Sequence, residues 1–207
     1  MKIMKGIVLV MVVLAGAVLV TSCASSGGGG GGGGARGPVG VWTFEDPNAD
    51  TQGWYLANSE FYQYKGPAKL SRDETTFGKG VLRLDVDYTG YQESEWSEIK
   101  MAIDFPKSIN MKNVDKFAFD FYYNPSLRKS GVFKPKIWSN NGSKFINETG
   151  IDIEGGEDMG NGFLKAYVEI YIMPGGGFIP DMRLSIAGYL TDYKGPIFFG
   201  NIAWVEK

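Results

Sequence analysis

The sequence predicts an all-β domain, an antiparallel β-sandwich of jelly-roll type, and three observations carry that prediction. Apolar and polar residues alternate with period two in several separate segments, the pattern of a strand with one buried and one wet face. Clusters of Gly, Pro, Asn and Asp, such as Asn140-Asn141-Gly142 and Pro174-Gly175-Gly176-Gly177, punctuate those segments as turns do. No segment carries an apolar stripe at helical spacing for more than two turns. Many short strands with one apolar face each bury that face by packing as two sheets.

The elements follow in chain order. Residues 40–44 form a first strand that turns Trp42 and Phe44 to the core, and short strands are expected at 61–64 and 68–71. Next, Leu82, Leu84, Val86 and Tyr88 oppose Arg83, Asp85 and Asp87. The clearest alternation is 96–105, where Ile99, Met101, Ile103 and Phe105 form one face and Trp96, Glu98, Lys100, Ala102 and Asp104 the other. Phe117, Phe119, Phe121 and Tyr123 then oppose Asp120 and Tyr122. In 133–139, Phe133, Pro135 and Ile137 oppose Lys134, Lys136 and Trp138. Ala166, Val168, Ile170 and Ile172 oppose Tyr167, Glu169 and Tyr171, and strands at 183–189 and 197–205 complete the set, the last placing Ile202 and Trp204 inside.

Ahead of this domain the chain reads as an address. Lys2 and Lys5 precede an apolar run from Ile7 to Val20, the layout of an export signal over residues 1–22 and shorter than the roughly 20 residues of a spanning helix. Val20-Thr21-Ser22-Cys23 is similar to a bacterial lipobox, so Cys23 is the expected lipidation site and first mature residue. Residues 23–38 include eight consecutive glycines, Gly27 to Gly34, which cannot bury apolar surface and form a flexible tether. Residues 39–207 have the length of one domain. The expected location is therefore the cell envelope, outside the cytoplasm and held to a membrane by lipid, with Ala24 favouring the outer membrane.

Composition removes whole classes of chemistry. The chain has no histidine and a single cysteine, Cys23, which excludes histidine-based nucleophilic triads, histidine zinc sites, thiolate metal sites and internal disulfides. A formal net charge of -2, more negative once Lys2 and Lys5 leave with the signal, gives nucleic acid no electrostatic footprint. A monomer is expected.

Tryptophan is the abundant functional residue. Trp96 shares its face with Glu98 and Lys100, Trp138 shares its own with Lys134 and Lys136, and Trp54 follows Gln52-Gly53 in a loop. Indole beside charged and amide groups suits a sugar, whose C–H groups stack on the ring while its hydroxyls take polar partners. A tryptophan packed beneath a loop gives the same local pattern.

Three stretches carry a family resemblance: Gly78-Lys79-Gly80-Val81-Leu82-Arg83-Leu84-Asp85-Val86, Glu95-Trp96-Ser97-Glu98-Ile99-Lys100, and Thr191 to Ile202 with its Tyr193-Lys194-Gly195-Pro196-Ile197 core. Together they resemble the family 27 carbohydrate-binding modules, mannan-binding β-sandwiches, over nearly all of 39–207. The resemblance implies non-catalytic binding of β-1,4-mannan or glucomannan by three tryptophans, matched here by Trp54, Trp96 and Trp138, with Glu98 and Lys100 as acidic and basic partners. Tyr122, Tyr167 and Tyr171 are candidates for secondary contacts. It also implies a structural Ca2+ near the joined chain ends, for which Glu45 and Asp46 are the available carboxylates, while Gly200-Asn201 stands where the family has an Asp-Asn pair.

Two other classes compete. Ile151-Asp152-Ile153-Glu154 resembles part of the catalytic strand of laminarinase-type glucanases, but Gly150 occupies the nucleophile position and a two-carboxylate glycosidase needs both groups about 5 to 10 Å apart. A structural or protein-binding envelope lipoprotein could use the same face for a partner chain.

Overall fold

The computed structural model describes residues 40–89, 96–129, 132–139, 144–147, 155–172, 177–189 and 191–207; side chains of 128, 129, 132–139, 144–147 and 189 are outside the description. The signal (1–22), Cys23 and the tether to residue 38 lie outside the described residues, as does Glu154. Among the described residues no helix is long and apolar enough to cross a membrane.

Among the described residues there are twelve strands, all paired antiparallel. They are β1 (Gly40–Trp42), β2 (Tyr55–Leu56), β3 (Lys69–Asp73), β4 (Val81–Asp87), β5 (Trp96–Asn110), β6 (Val114–Tyr123), β7 (Val132–Ser139), β8 (Lys144–Asn147), β9 (Glu157–Asp158), β10 (Leu164–Tyr171), β11 (Phe178–Tyr189) and β12 (Lys194–Glu206). One sheet runs β3-β4-β12-β6-β10-β9 with β1 added along β12, and the other runs β2-β5-β11-β7-β8. The expected sandwich is what forms. The only described α-helix is the single turn α1 (Ser126–Lys129).

Alternation translates directly into burial. Along β4, Leu82, Leu84 and Val86 are buried while Arg83, Asp85 and Asp87 are not, and along β5 Ile99, Met101 and Ile103 enter the same core. Phe117, Phe119 and Phe121 of β6 pack against Phe199 and Trp204 of β12, so the centre between the sheets is largely aromatic. Each such ring, fully buried, contributes about 1.5–3 kcal/mol.

The short strands β2 and β8 were not expected from the sequence, and three further elements depart from it. The strand expected at 61–64 is only a bridge between Tyr62 and Glu98, because Gln63 adopts a left-handed φ of 52° that breaks the extended path. Strand β5 continues past Phe105 to Asn110, with a register shift: Ile179 pairs with Ile109 but Asp181 with Asp104, so 105–108 stand opposite Pro180, which has no amide hydrogen to donate. The short strand β9 has no periodicity of its own and forms by pairing with Leu164 and Lys165.

One edge of β12 is shared. Residues 194–199 pair with β4 and residues 202–204 pair with β1, and Asn201 at the changeover has a left-handed φ of 47°. The end of β1 therefore meets the start of β4, close to β3.

Candidate functional site

The polar face of the five-stranded sheet gathers what the alternation segregates. Core-side Met182, Leu184 and Ile186 of β11 force Arg183 and Ser185 to the opposite face, alongside Glu98, Lys100, Ala102 and Asp104 of β5. The face is recessed, with Ser185 fully buried and Glu98 and Arg183 each 6% exposed. Segment 55–62 borders it: Tyr55 pairs with Ala102, and Tyr62 with Glu98.

Trp96 and Glu98 form a unit. Trp96 Nε1 donates to Glu98 Oε1 at 2.7 Å, and Ser185 Oγ donates to Glu98 Oε2 at 2.8 Å. Both carboxylate oxygens are engaged, so the half-exposed indole is held in one orientation before any ligand arrives. Lys100 lies on the same strand face, opposite Ser185 in register.

Arg183 organises the other half. Its Nε donates to both oxygens of Glu60 at 3.1 Å, and its Nη1 lies 3.2 Å from Asp181 and 3.6 Å from Asp104. Asp104 also accepts from the Tyr55 hydroxyl at 3.2 Å. Burial, reinforced by that carboxylate and opposed by Arg183, pushes the Tyr55 hydroxyl up, so it remains a donor at neutral pH. Trp138 pairs opposite Arg183 in the β11–β7 register; its side chain is outside the description.

Trp54 corrects the sequence reading. It is 2% exposed and packs edge-on against Trp42 at 5.7 Å, inside the core rather than on the polar face. The residue after it takes the outward position, because Tyr55 pairs with Ala102 of the polar face and successive side chains of extended chain point to opposite sides. Tyr55 (39% exposed) and Tyr62 (51%) are therefore aromatic groups of this face that the sequence reading missed. The alternation of Tyr55 with Trp54 was the available signal, but two residues of strand are too short for periodicity to declare itself; Tyr62 and Tyr64 have the same parity and part only because Gln63 is left-handed between them. Tyr167 and Tyr171 are exposed on the other sheet and Tyr122 is buried there, so none of the three joins this face.

Calcium does not fit the residues proposed for it. Glu45 and Asp46 are exposed, and Asp46 Oδ1 accepts from the Asn48 amide at 2.9 Å in a local turn. The carbonyl oxygens beside them already accept from Arg72. Asn201 turns its amide away, donating to Asp120 at 2.7 Å. Among the described residues no three acidic, His or Cys side chains gather as a metal cluster.

A separate hollow of about 720 Å³ lies between β1 and the shifted stretch of β5, lined by Trp42, Gln52, Gly53, Phe105 and Ile109 among others. It is at the far end of β5 from Trp96.

The family profile described as Carbohydrate binding module 27 matches residues 43–207, the whole sandwich apart from β1. The chain belongs to the carbohydrate-binding module 27 family. No curated protein matches it. Among solved structures, the module is similar to TmCBM27, studied for specific mannan recognition, with a TM-score of 0.64 and 20% identity over 84% of this chain and 99% of that one. It is also similar to CBM27-1 of Caldicellulosiruptor saccharolyticus in complex with mannohexaose (TM-score 0.62, 17% identity, 80% and 97% covered). A third likeness is to CBM28, a module specific for non-crystalline cellulose (0.56, 19%, 74% and 87%). At these identities the likeness establishes the shared sandwich fold.

Proposed function

We propose that this module binds β-1,4-mannan or glucomannan, without catalysis, on the polar face of the five-stranded sheet. The observation that carries the reading is the Trp96 indole, fixed by Glu98 and Ser185 on a recessed polar face in a chain of this family. Trp96, Tyr55, Tyr62 and, by register, Trp138 offer rings for stacking, and Lys100 and the Arg183 cluster offer polar partners for hydroxyls. Known relatives studied with mannan or mannohexaose share the fold, which supports that choice of polymer.

The carboxylates of this face are already engaged. Glu98 is held by Trp96 and Ser185, and Glu60, Asp104 and Asp181 surround Arg183. None is left poised as a proton donor with a second carboxylate opposite, which favours binding over hydrolysis.

In this reading the protein acts as a monomer outside the cytoplasm, with Cys23 lipidated. Each buried acyl methylene contributes about 0.8 kcal/mol, so a multiply acylated terminus stays on its membrane. Held to a membrane in this way, the module meets polymer at a high local concentration, which makes a weak binder an effective trap.

Titration calorimetry with mannohexaose tests the proposal. Saturable heat is expected; a folded protein that gives none at millimolar ligand refutes it, and signal on a protein target but no polysaccharide would favour a partner-binding role.

A further inference from the structure

The corner where β1 ends, β3 runs and β4 begins is built around an arginine. Arg72 of β3 donates through Nε to the Phe44 carbonyl at 2.6 Å and through Nη2 to the Glu45 carbonyl at 3.4 Å, and its Nη1 pairs with Glu74 at 2.7 Å. Its side chain is 11% exposed. Two consecutive backbone carbonyls and a carboxylate are oxygen donors of the kind a hard cation takes. Here a guanidinium holds them, with a fixed charge and a planar set of N–H groups that cannot be deprotonated in a protein.

The backbone is shaped to present those oxygens. Phe44 adopts a left-handed φ of 60°, costly for a bulky residue and tolerated where its surroundings over-determine it. Its ring is fully buried in the core on one side while its carbonyl meets Arg72 on the other. Gly80 approaches so closely that a Cβ there would lie 1.7 Å from the Phe44 oxygen and 3.0 Å from Arg72 Nη2. The absent side chain at Gly80 is what leaves room for the contact.

We infer that Arg72 is the resident cation of this corner, standing in for the structural calcium expected of the resemblance, and that the module folds independently of calcium. The same corner supplies Glu45 and Asp46, the carboxylates a metal would recruit, yet both face solvent while the carbonyls between strand and loop are committed to Arg72. Gly200 contributes no carboxylate from β12. The clasp ties the segment that follows β1, whose one ladder partner among the described residues is β12, to β3 at the sheet edge.

Thermal unfolding of the full chain tests this apart from any question of glycan specificity. The midpoint of the wild type is expected to be the same in excess EDTA and in millimolar CaCl2, and Arg72→Met is expected to lower it by several degrees in both. A wild-type midpoint that rises with CaCl2 and falls with EDTA overturns the inference, as does an Arg72→Met midpoint equal to wild type. Should Arg72→Met fail to fold, the chelator comparison on the wild type still decides.

Discussion

Trp96 and Glu98 lie two residues apart on β5 and share a hydrogen bond of 2.7 Å from indole nitrogen to carboxylate, with Ser185 closing the carboxylate's other side. The acidic residue is thus engaged in orienting the ring, whereas the sequence reading cast it as a sugar partner in its own right. Ring and carboxylate act as one group.

Replacing Trp96 with Ala should weaken mannohexaose binding by about 1–3 kcal/mol, from roughly fivefold to somewhat over a hundredfold, if stacking on a sugar resembles stacking on a base in size. The unfolding midpoint should change little, because the ring is only half-buried. Calorimetry and a thermal scan on the same sample check both halves.

Glu98→Ala should weaken binding even if the carboxylate never touches sugar. It frees the Trp96 indole to reorient and leaves the buried Ser185 hydroxyl without its acceptor, which costs about 1–3 kcal/mol of stability. A Glu98→Ala protein with wild-type affinity would show that the indole needs no such anchor.

Trp54→Ala separates the two assignments of that residue. Buried as it is, its truncation should cost about 3–5 kcal/mol of stability, measured by denaturant unfolding, whereas Tyr55→Ala on the outward side of β2 should lower affinity more than stability.

Acid should act through Asp87. Its carboxyl is lowered from 3.8 to about 2, first by the Lys194 ammonium at 2.7 Å and then by the Thr89 hydroxyl. A native value below the unfolded one means that the proton binds the unfolded chain more readily. The contribution to stability is complete above about pH 4 and disappears as the pH falls toward 2. Asp87→Asn should flatten that part of the acid-unfolding curve; an unchanged slope would remove Asp87 as its cause.

Strand content was legible wherever alternation ran for six or more residues. Along β4 and β10 the sequence separates core from solvent side, since period two in the side chains is the geometry of the backbone itself. Along β5 and β6 it separates two faces, but the second face is covered as well: Glu98, Asp120 and Tyr122 are buried, Tyr122 with Val81 and Phe198 in a second apolar cluster. Trp96, Glu98 and Lys100 followed from the same periodicity and from the family resemblance. Local rules fail where an element is two or three residues long: β2 offered no period to distinguish Trp54 from Tyr55, and β9 exists only because β10 lies beside it.

The amino-acid sequence by itself determined the sandwich, the family, the absence of histidine chemistry and the segregation of one indole-bearing polar face. Only the tertiary structure decided that Trp54 belongs to the core, that Arg183 gathers Glu60, Asp104 and Asp181, and that Arg72 grips the carbonyls of Phe44 and Glu45. The Arg72–Phe44 and Arg183–Glu60 contacts join residues 28 and 123 positions apart, and nothing in a local pattern encodes which strand edges and loops a three-dimensional packing brings together.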